Sequence, residues 1–102
     1  MQDITVQELK EKMDRGDDFL FIDVREDYEY KEFNLGAKLI PLGNLMAALP
    51  DLEDHKEKEI VVHCRSGARS GNAKQAMMQL GFTKVRNLLG GVLQWQDVYP
   101  KG

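Results

Sequence analysis

One stretch decides how this chain folds: Ile60-Val61-Val62-His63-Cys64-Arg65-Ser66-Gly67-Ala68-Arg69-Ser70-Gly71. A short run of β-branched residues ends at the only cysteine of the sequence, small and cationic residues follow, and a helical pattern then begins. Short apolar β-branched runs are typical of strands, and segments rich in small residues are typical of tight loops. The stretch therefore predicts a strand, a tight loop and a helix N-terminus that meet at Cys64.

Such a junction favours the ionised form of a thiol. The first turn of a helix leaves backbone N–H groups without partners, and the aligned peptide dipoles make that end positive. A tight loop can aim further N–H groups at the same point. Gly67 lets the loop turn where a side chain would collide, and Ala68 keeps its wall small. We therefore expect the pKa of Cys64 to fall, which makes the thiol a nucleophile at neutral pH.

A lone cysteine at the end of a strand has a second interpretation. Free cysteine is often buried and inert, and it then packs as a small hydrophobe. The glycine, the two arginines and the helix start around Cys64 favour the reactive interpretation.

Arg65 and Arg69 lie where a cation is unfavourable, because the N-terminus of a helix is itself positive. Two explanations are open. The arginines bind an anionic substrate, or acidic side chains elsewhere neutralise them, for which Asp23 and Glu26 are available. We expect one arginine, Arg65, to point outward and the other to be tied down.

Length and composition limit the classes of function. The 102 residues suffice for one domain, which we expect to span residues 1–102 and to be a monomer. A net charge of −3 without a long basic run gives no support to nucleic-acid binding. One cysteine excludes an internal disulfide, and two well-separated histidines give no metal cluster. We therefore expect neither a metal nor another cofactor.

The sequence also bears on location. No apolar run is long enough to cross a membrane, and the N-terminus lacks the apolar region of a signal peptide. A lone thiol suits a reducing compartment. We therefore expect a cytoplasmic protein without a membrane partner.

Short strands and helices alternate along the chain, which predicts an α/β fold with a mostly parallel sheet. Strands are predicted at residues 19–24, 38–40, 60–63 and 85–88, with a short first strand around Ile4. Helices are predicted from the capping box at residues 5–8 to Gly16, after Asp27, at 43–49, from the Cys64 loop to Gly81, and after Gly90-Gly91. The acidic segment 51–59 is predicted to be a solvated helix or loop.

Several residues that resemble catalytic groups are better explained by packing. Asp23 interrupts an apolar strand and is expected to be a buried structural carboxylate. His63 precedes the thiol, but adjacent strand residues point to opposite faces, so we expect a packed histidine. Trp95 and the aromatic residues 28, 30 and 33 are expected to lie in the core or to pack locally.

Three blocks of the sequence resemble the rhodanese family. They are Ile22-Asp23-Val24-Arg25-Glu26 with Tyr30, the specific block His63-Cys64-Arg65-Ser66-Gly67-Ala68-Arg69-Ser70, and Leu89-Gly90-Gly91 with Trp95. The resemblance implies a three-layer domain with a five-stranded parallel sheet flanked by helices. It also implies that Cys64 is the catalytic nucleophile, within an active-site loop whose substrate-binding residues are Arg65, Ser66, Gly67, Ala68 and Arg69.

The resemblance further implies a sulfurtransferase. Members take a sulfane sulfur from a donor such as thiosulfate, hold it as a cysteine persulfide, and pass it to cyanide, a thiol or a sulfur-carrier protein. This chain has Glu32-Phe33-Asn34-Leu35-Gly36-Ala37 where the family often has Gly-His-Ile-Pro-Gly-Ala. The segment is similar to rhodanese modules attached to ubiquitin-like-activating enzymes, so the acceptor stays open.

Two other functions compete with sulfur transfer. Relatives of this fold are cysteine-dependent phosphatases or arsenate reductases, which use Cys-x5-Arg, whereas Cys64 and Arg69 form Cys-x4-Arg. The shorter loop is expected to fit one sulfur atom and to exclude phosphate. The third possibility is an interaction module that has lost its chemistry, against which the intact Cys64 loop argues.

Overall fold

A parallel sheet of four strands forms the centre of the protein, in the order β2-β1-β3-β4. The computed structural model describes residues 1–101. Its elements are α1 (Val6–Arg15), β1 (Leu20–Asp23), α2 (Asp27–Glu32), β2 (Lys38–Leu39), α3 (Leu42–Ala48), a 3-10 helix (Leu49–His55), β3 (Ile60–His63), α4 (Ala68–Gln79), β4 (Val85–Asn87) and α5 (Gly91–Val98). The α/β class with a parallel sheet is thus confirmed.

The sheet has four strands rather than the five that the resemblance implies. The missing strand is reduced to one parallel bridge between Ile4 and Leu88. Thr5, the next residue, is the N-cap of α1, and its hydroxyl accepts the Glu8 N–H at 3.1 Å. Because the helix begins immediately after Ile4, the strand cannot continue past that residue, and before it the Asn87 N–H donates to the Asp3 carboxylate at 3.0 Å instead of to a backbone carbonyl.

Helices cover both faces of the sheet. On one face, Val62 packs with Leu45 of α3 and Met77 of α4. On the other face, Val61 packs with Leu9 of α1 and with Trp95 of α5, which is 5% exposed. All four residues of β3 are buried, as expected for a central strand of a parallel sheet.

Some local predictions were wrong. The sequence predicts Asp27 as the cap of α2, but Asp27 is the first helical residue and the N-cap is Glu26, whose backbone N–H donates to Glu29 Oε1 at 3.1 Å. The helical spacing of Ala73, Ala76, Met77 and Leu80 predicts that all four face the sheet, yet α4 ends at Gln79 and Leu80 is exposed. Within the acidic segment, Leu52 is buried in the 3-10 helix.

Three polar residues lie at the carboxyl edge of the sheet. Asp23 ends β1, Cys64 follows β3, and Asn87 ends β4. Ligands bind at this edge in open parallel sheets. The fold therefore places the cysteine where chemistry is expected. Within residues 1–101, no helix is both long and apolar enough to span a bilayer.

Candidate active site

Cys64 lies between the end of β3 and the start of α4, and it is only 1% exposed. The Gly67 N–H donates to Cys64 Sγ at 3.1 Å, and the Ser70 N–H donates at 3.4 Å. The Ser70 Oγ lies 3.3 Å from the same sulfur. We call these two amides and this hydroxyl the cradle. The amides face the sulfur, as the sequence predicts.

Two opposing effects act on the pKa of Cys64. Burial raises it, because a thiolate loses solvation. Hydrogen bonds from Ser70 and from the Gly67 and Ser66 backbone favour the thiolate, and the net effect lowers the pKa below that of an ordinary thiol. The cradle therefore favours a nucleophilic sulfur despite its burial.

The start of α5 fixes the outer side of the loop. The Val92 N–H donates to the Cys64 carbonyl at 3.0 Å, and the Leu93 N–H donates to the Arg65 carbonyl at 3.0 Å. Gly91 permits this approach, because a Cβ there would lie 2.5 Å from the Cys64 carbonyl oxygen. The Gly90-Gly91 block thus positions the loop.

Ser70 and Asn87 belong to the site although the sequence did not identify them as functional. Asn87 Nδ2 donates to the Gly67 carbonyl at 3.1 Å, and Ser70 Oγ donates to Asn87 Oδ1 at 2.6 Å. The available signal was positional: Ser70 follows the loop directly, and Asn87 is polar at a strand end, like Asp23.

The two arginines behave differently, as predicted. Arg69 forms a bidentate ion pair with Glu29, at 2.7 and 2.9 Å, and this pair lowers the pKa of Glu29 to about 2. Arg65 is exposed and makes no ion pair within residues 1–101. The expected acidic partners were wrong, because neither Asp23 nor Glu26 contacts Arg69.

Asp23 is instead occupied by Arg25. The Arg25 guanidinium donates to Asp23 Oδ2 at 2.8 Å and to the Phe33 carbonyl at 2.7 Å, and both side chains are buried. This pair joins the end of β1 to the end of α2. The expectation of a buried structural carboxylate is confirmed.

His63 is packed inside the protein rather than placed as a base for Cys64. It is fully buried, and its Nδ1 lies 3.4 Å from the Cys64 carbonyl oxygen rather than at the sulfur. Burial lowers the pKa of His63 to about 4, so the ring is neutral at pH 7. No group of three or more metal-binding side chains is found within residues 1–101.

An open cavity of about 590 Å³ adjoins the loop between α2 and α5, and we call it the α2–α5 cavity. Tyr28, expected to pack locally, is 70% exposed at its rim, and Leu93 is 45% exposed. The other lining residues are Arg25, Glu29, Glu32, Phe33, Arg65, Val92 and Gln96. The site therefore combines an enclosed sulfur with an open, partly apolar cavity beside its loop.

Comparisons with known proteins agree with this geometry. Residues 5–98 match the model of the rhodanese-like domain. A sulfurtransferase of Allochromatium vinosum is 32% identical over 101 residues, which cover 93% of this chain and 88% of that protein. A crystal structure of a rhodanese-like domain protein from Staphylococcus aureus is 30% identical, with a TM-score of 0.76 over 93% of this chain and 91% of that one.

Longer proteins contain a similar region. The tRNA uridine(34) hydroxylase of Acinetobacter baylyi is 34% identical over 89 residues, which cover 82% of this chain but only 28% of that protein. The similarity thus includes both proteins of this length and segments of larger ones. The family match covers most of the chain, and the sheet, the helices and the cysteine loop agree with it. The chain belongs to the rhodanese-like domain family.

Proposed function

We propose that this protein is a sulfurtransferase that moves a sulfane sulfur from a donor such as thiosulfate to a thiophilic acceptor through a persulfide on Cys64. The observation that supports this most strongly is the cradle, in which two amides and one hydroxyl surround a single sulfur atom. The similarity to a sulfurtransferase over nearly the whole chain supports the same reaction.

In the first step, the Cys64 thiolate attacks the outer sulfur of thiosulfate. A new S–S bond forms, the S–S bond of thiosulfate breaks, and sulfite leaves with its electron pair. Arg65 follows Cys64 in the chain, lines the α2–α5 cavity and makes no ion pair within residues 1–101, so it is available to attract the dianionic donor. Because Cys64 is 1% exposed, a slim donor reaches the sulfur more easily than a bulky one.

In the second step, the acceptor attacks the outer sulfur of the persulfide, and Cys64 leaves as a thiolate. Cyanide becomes thiocyanate, and a thiol becomes a persulfide. The two amides of the cradle stabilise the leaving thiolate without reorganisation, because they are held by the backbone at the start of α4. A thiol or a sulfur-carrier protein would approach through the α2–α5 cavity, whereas cyanide needs little space.

The geometry favours sulfur transfer over phosphate chemistry. The Gly67 and Ser70 amides both donate to the sulfur itself. Arg69 is held by Glu29 and is not free to bind such an anion. We also propose that the protein acts as a monomeric domain in a reducing compartment such as the cytoplasm, where its thiol remains reduced.

Intact-mass spectrometry after incubation with thiosulfate tests the proposal. We expect the mass to increase by one sulfur atom, and cyanide or dithiothreitol to remove it. The variant Cys64→Ser should gain nothing under the same conditions. No adduct on the wild-type protein would overturn the sulfurtransferase assignment, and full cellular function of Cys64→Ser would favour an interaction module.

A further inference from the structure

The hydroxyl group of Ser70 lies between two acceptors. Its Oγ is 2.6 Å from Asn87 Oδ1 and 3.3 Å from Cys64 Sγ. A hydroxyl has one proton to donate, so it cannot serve both acceptors. Ser70 is fully buried, so bulk water does not contact it directly.

The orientation of the Asn87 amide follows from its other partner. Asn87 Nδ2 lies 3.1 Å from the Gly67 carbonyl oxygen, which can only accept a hydrogen bond. The amide oxygen therefore faces Ser70, and it too can only accept. The backbone of Asn87 is fixed as well, because its N–H donates to Asp3 Oδ1 at 3.0 Å and its carbonyl accepts the Ile4 N–H at 3.0 Å.

These contacts couple Asn87 to the charge state of the sulfur. While Ser70 donates to Asn87, its lone pairs face Cys64 and suit a neutral S–H donor. When the thiol ionises, the Ser70 proton is needed at the sulfur, and the amide oxygen of Asn87 loses its donor. Such a loss is costly for a polar atom in a buried setting.

We propose that Asn87 is a positioning residue that competes with the Cys64 sulfur for the single hydroxyl proton of Ser70, and so opposes ionisation of the sulfur. The inference rests on the proposed function only in taking the ionised sulfur as the reactive form. Asn87 acts through Ser70, because its own amide contacts Gly67 and Ser70 and not the sulfur.

A purely structural role for Asn87 predicts the opposite effect. If the amide only tied the Gly67 carbonyl to β4, its removal would loosen the cradle and raise the pKa of Cys64. Competition predicts a lower pKa, since Ser70 is then free to donate to the sulfur. The charged groups near the sulfur and near Asn87 are the same under both explanations, so they do not account for a difference in pKa. These groups are Arg65, Arg69, Glu29, Asp3 and Lys74, and the neutral His63 lies behind the loop.

The pH dependence of Cys64 alkylation by iodoacetamide tests the proposal, because the chain has one cysteine. We expect Asn87→Ala to lower the midpoint by about 0.5–1 pH unit, the size of one hydrogen bond. Ser70→Ala should raise the midpoint. In the Ser70→Ala background, Asn87→Ala should have no further effect, because the shared proton is gone.

Asn87→Leu fills the vacated space and should lower the midpoint as Asn87→Ala does, while thermal unfolding checks that each variant is folded. A raised midpoint in both Asn87 variants, or an equal shift with and without Ser70, would overturn the proposal. Alkylation requires no sulfur donor. A protein that fails to load sulfur from thiosulfate would therefore contradict the proposed function without affecting this result.

Discussion

The two sides of the Cys64 loop differ in how much of their structure is fixed. On the inner side, Cys64 is 1% exposed and its sulfur faces the cradle, whose atoms are held by α4 and β4. On the outer side, the α2–α5 cavity is open, and Arg65, Tyr28 and Leu93 are exposed there. Buried groups of α4 and β4 thus set the chemistry of the sulfur, whereas exposed side chains are available to select its partners.

The largest effect should come from moving the cradle. Gly91→Ala introduces a Cβ 2.5 Å from the Cys64 carbonyl oxygen and 2.6 Å from the Arg65 carbonyl oxygen, at a φ of +56°. Because the loop must shift, we expect sulfur loading from thiosulfate to slow by about 10²-fold. The rate is measured by stopping the loading reaction at successive times and determining the loaded fraction by intact-mass spectrometry.

Gly43→Ala is the matched control, since the added methyl group meets no atom within 4 Å beyond its chain neighbours and the backbone of its own helix. It should load sulfur like the wild-type protein. Unchanged loading by Gly91→Ala would show that α5 does not position the cradle.

A smaller effect, on the binding of thiosulfate, should follow from removing the exposed guanidinium of Arg65 on the outer side. Arg65→Gln should raise the KM for thiosulfate about tenfold, because a free guanidinium no longer attracts the dianion. Raising the salt concentration should weaken wild-type binding and leave the variant less affected. Steady-state turnover with cyanide as acceptor measures both.

Lys84→Gln removes an exposed cation just before β4, at the opposite edge of the sheet, and should leave KM unchanged. Equal effects of the two substitutions would indicate that net charge, rather than the position of Arg65, attracts the donor.

A third and smaller effect should appear in the step that transfers sulfur to the acceptor, because only a large acceptor contacts the outer side of the loop. Leu93→Ser removes apolar surface from the rim of the α2–α5 cavity and should raise the KM for a thiol acceptor about three- to fivefold. Turnover with cyanide should change little, because so small an acceptor needs little of that surface. Parallel assays with glutathione and with cyanide as the acceptor measure how much the KM for each acceptor changes.

Met78→Ser is matched to it, because Met78 lies on α4 and is also 45% exposed. It should alter neither KM. A loss with both acceptors in Leu93→Ser would mean that the cavity supports the loop rather than an acceptor.

The sequence predicted contacts between residues that are close in the chain better than contacts between residues that are far apart. Cys64, Gly67 and the start of α4 are neighbours in the chain, so strand, loop and helix signals sufficed to place them together. Glu29 lies 40 residues from Arg69, and Asn87 lies 17 residues from Ser70. Such pairs depend on how elements pack, which no local pattern encodes.

The wrong predictions for individual residues have the same cause, because they depend on how the elements pack. Tyr28 looks like a packing residue by type, but α2 is a short helix without a buried residue, so its aromatic ring faces the cavity. Ile4 has the side chain of a strand residue, yet it forms one parallel bridge, with Leu88, and the next residue is already the cap of α1. For both residues, the position of the helix ends determined the environment, whereas the type of side chain did not predict it.

The smallest effect concerns the ion pair that joins the two sides, Glu29 with Arg69. The pKa of Glu29 falls from 4.5 to about 2, mainly because Arg69 donates to its carboxylate. A lowered pKa in the folded state stabilises the protein above pH 4.5, and this stabilisation is lost as the pH falls towards 2. Because the Arg69 side chain is 36% exposed, solvent screening limits it to about 0.5 kcal/mol.

Glu29→Gln should therefore lower the free energy of unfolding at pH 7 by about 0.5 kcal/mol, and the difference from wild type should shrink between pH 4.5 and pH 2. Urea unfolding at several pH values measures it. Glu32→Gln, on the same helix and without an ion pair within residues 1–101, should show no such convergence. A difference that stays constant with pH would mean that Glu29 stabilises α2 by packing and hydrogen bonding rather than through its charge.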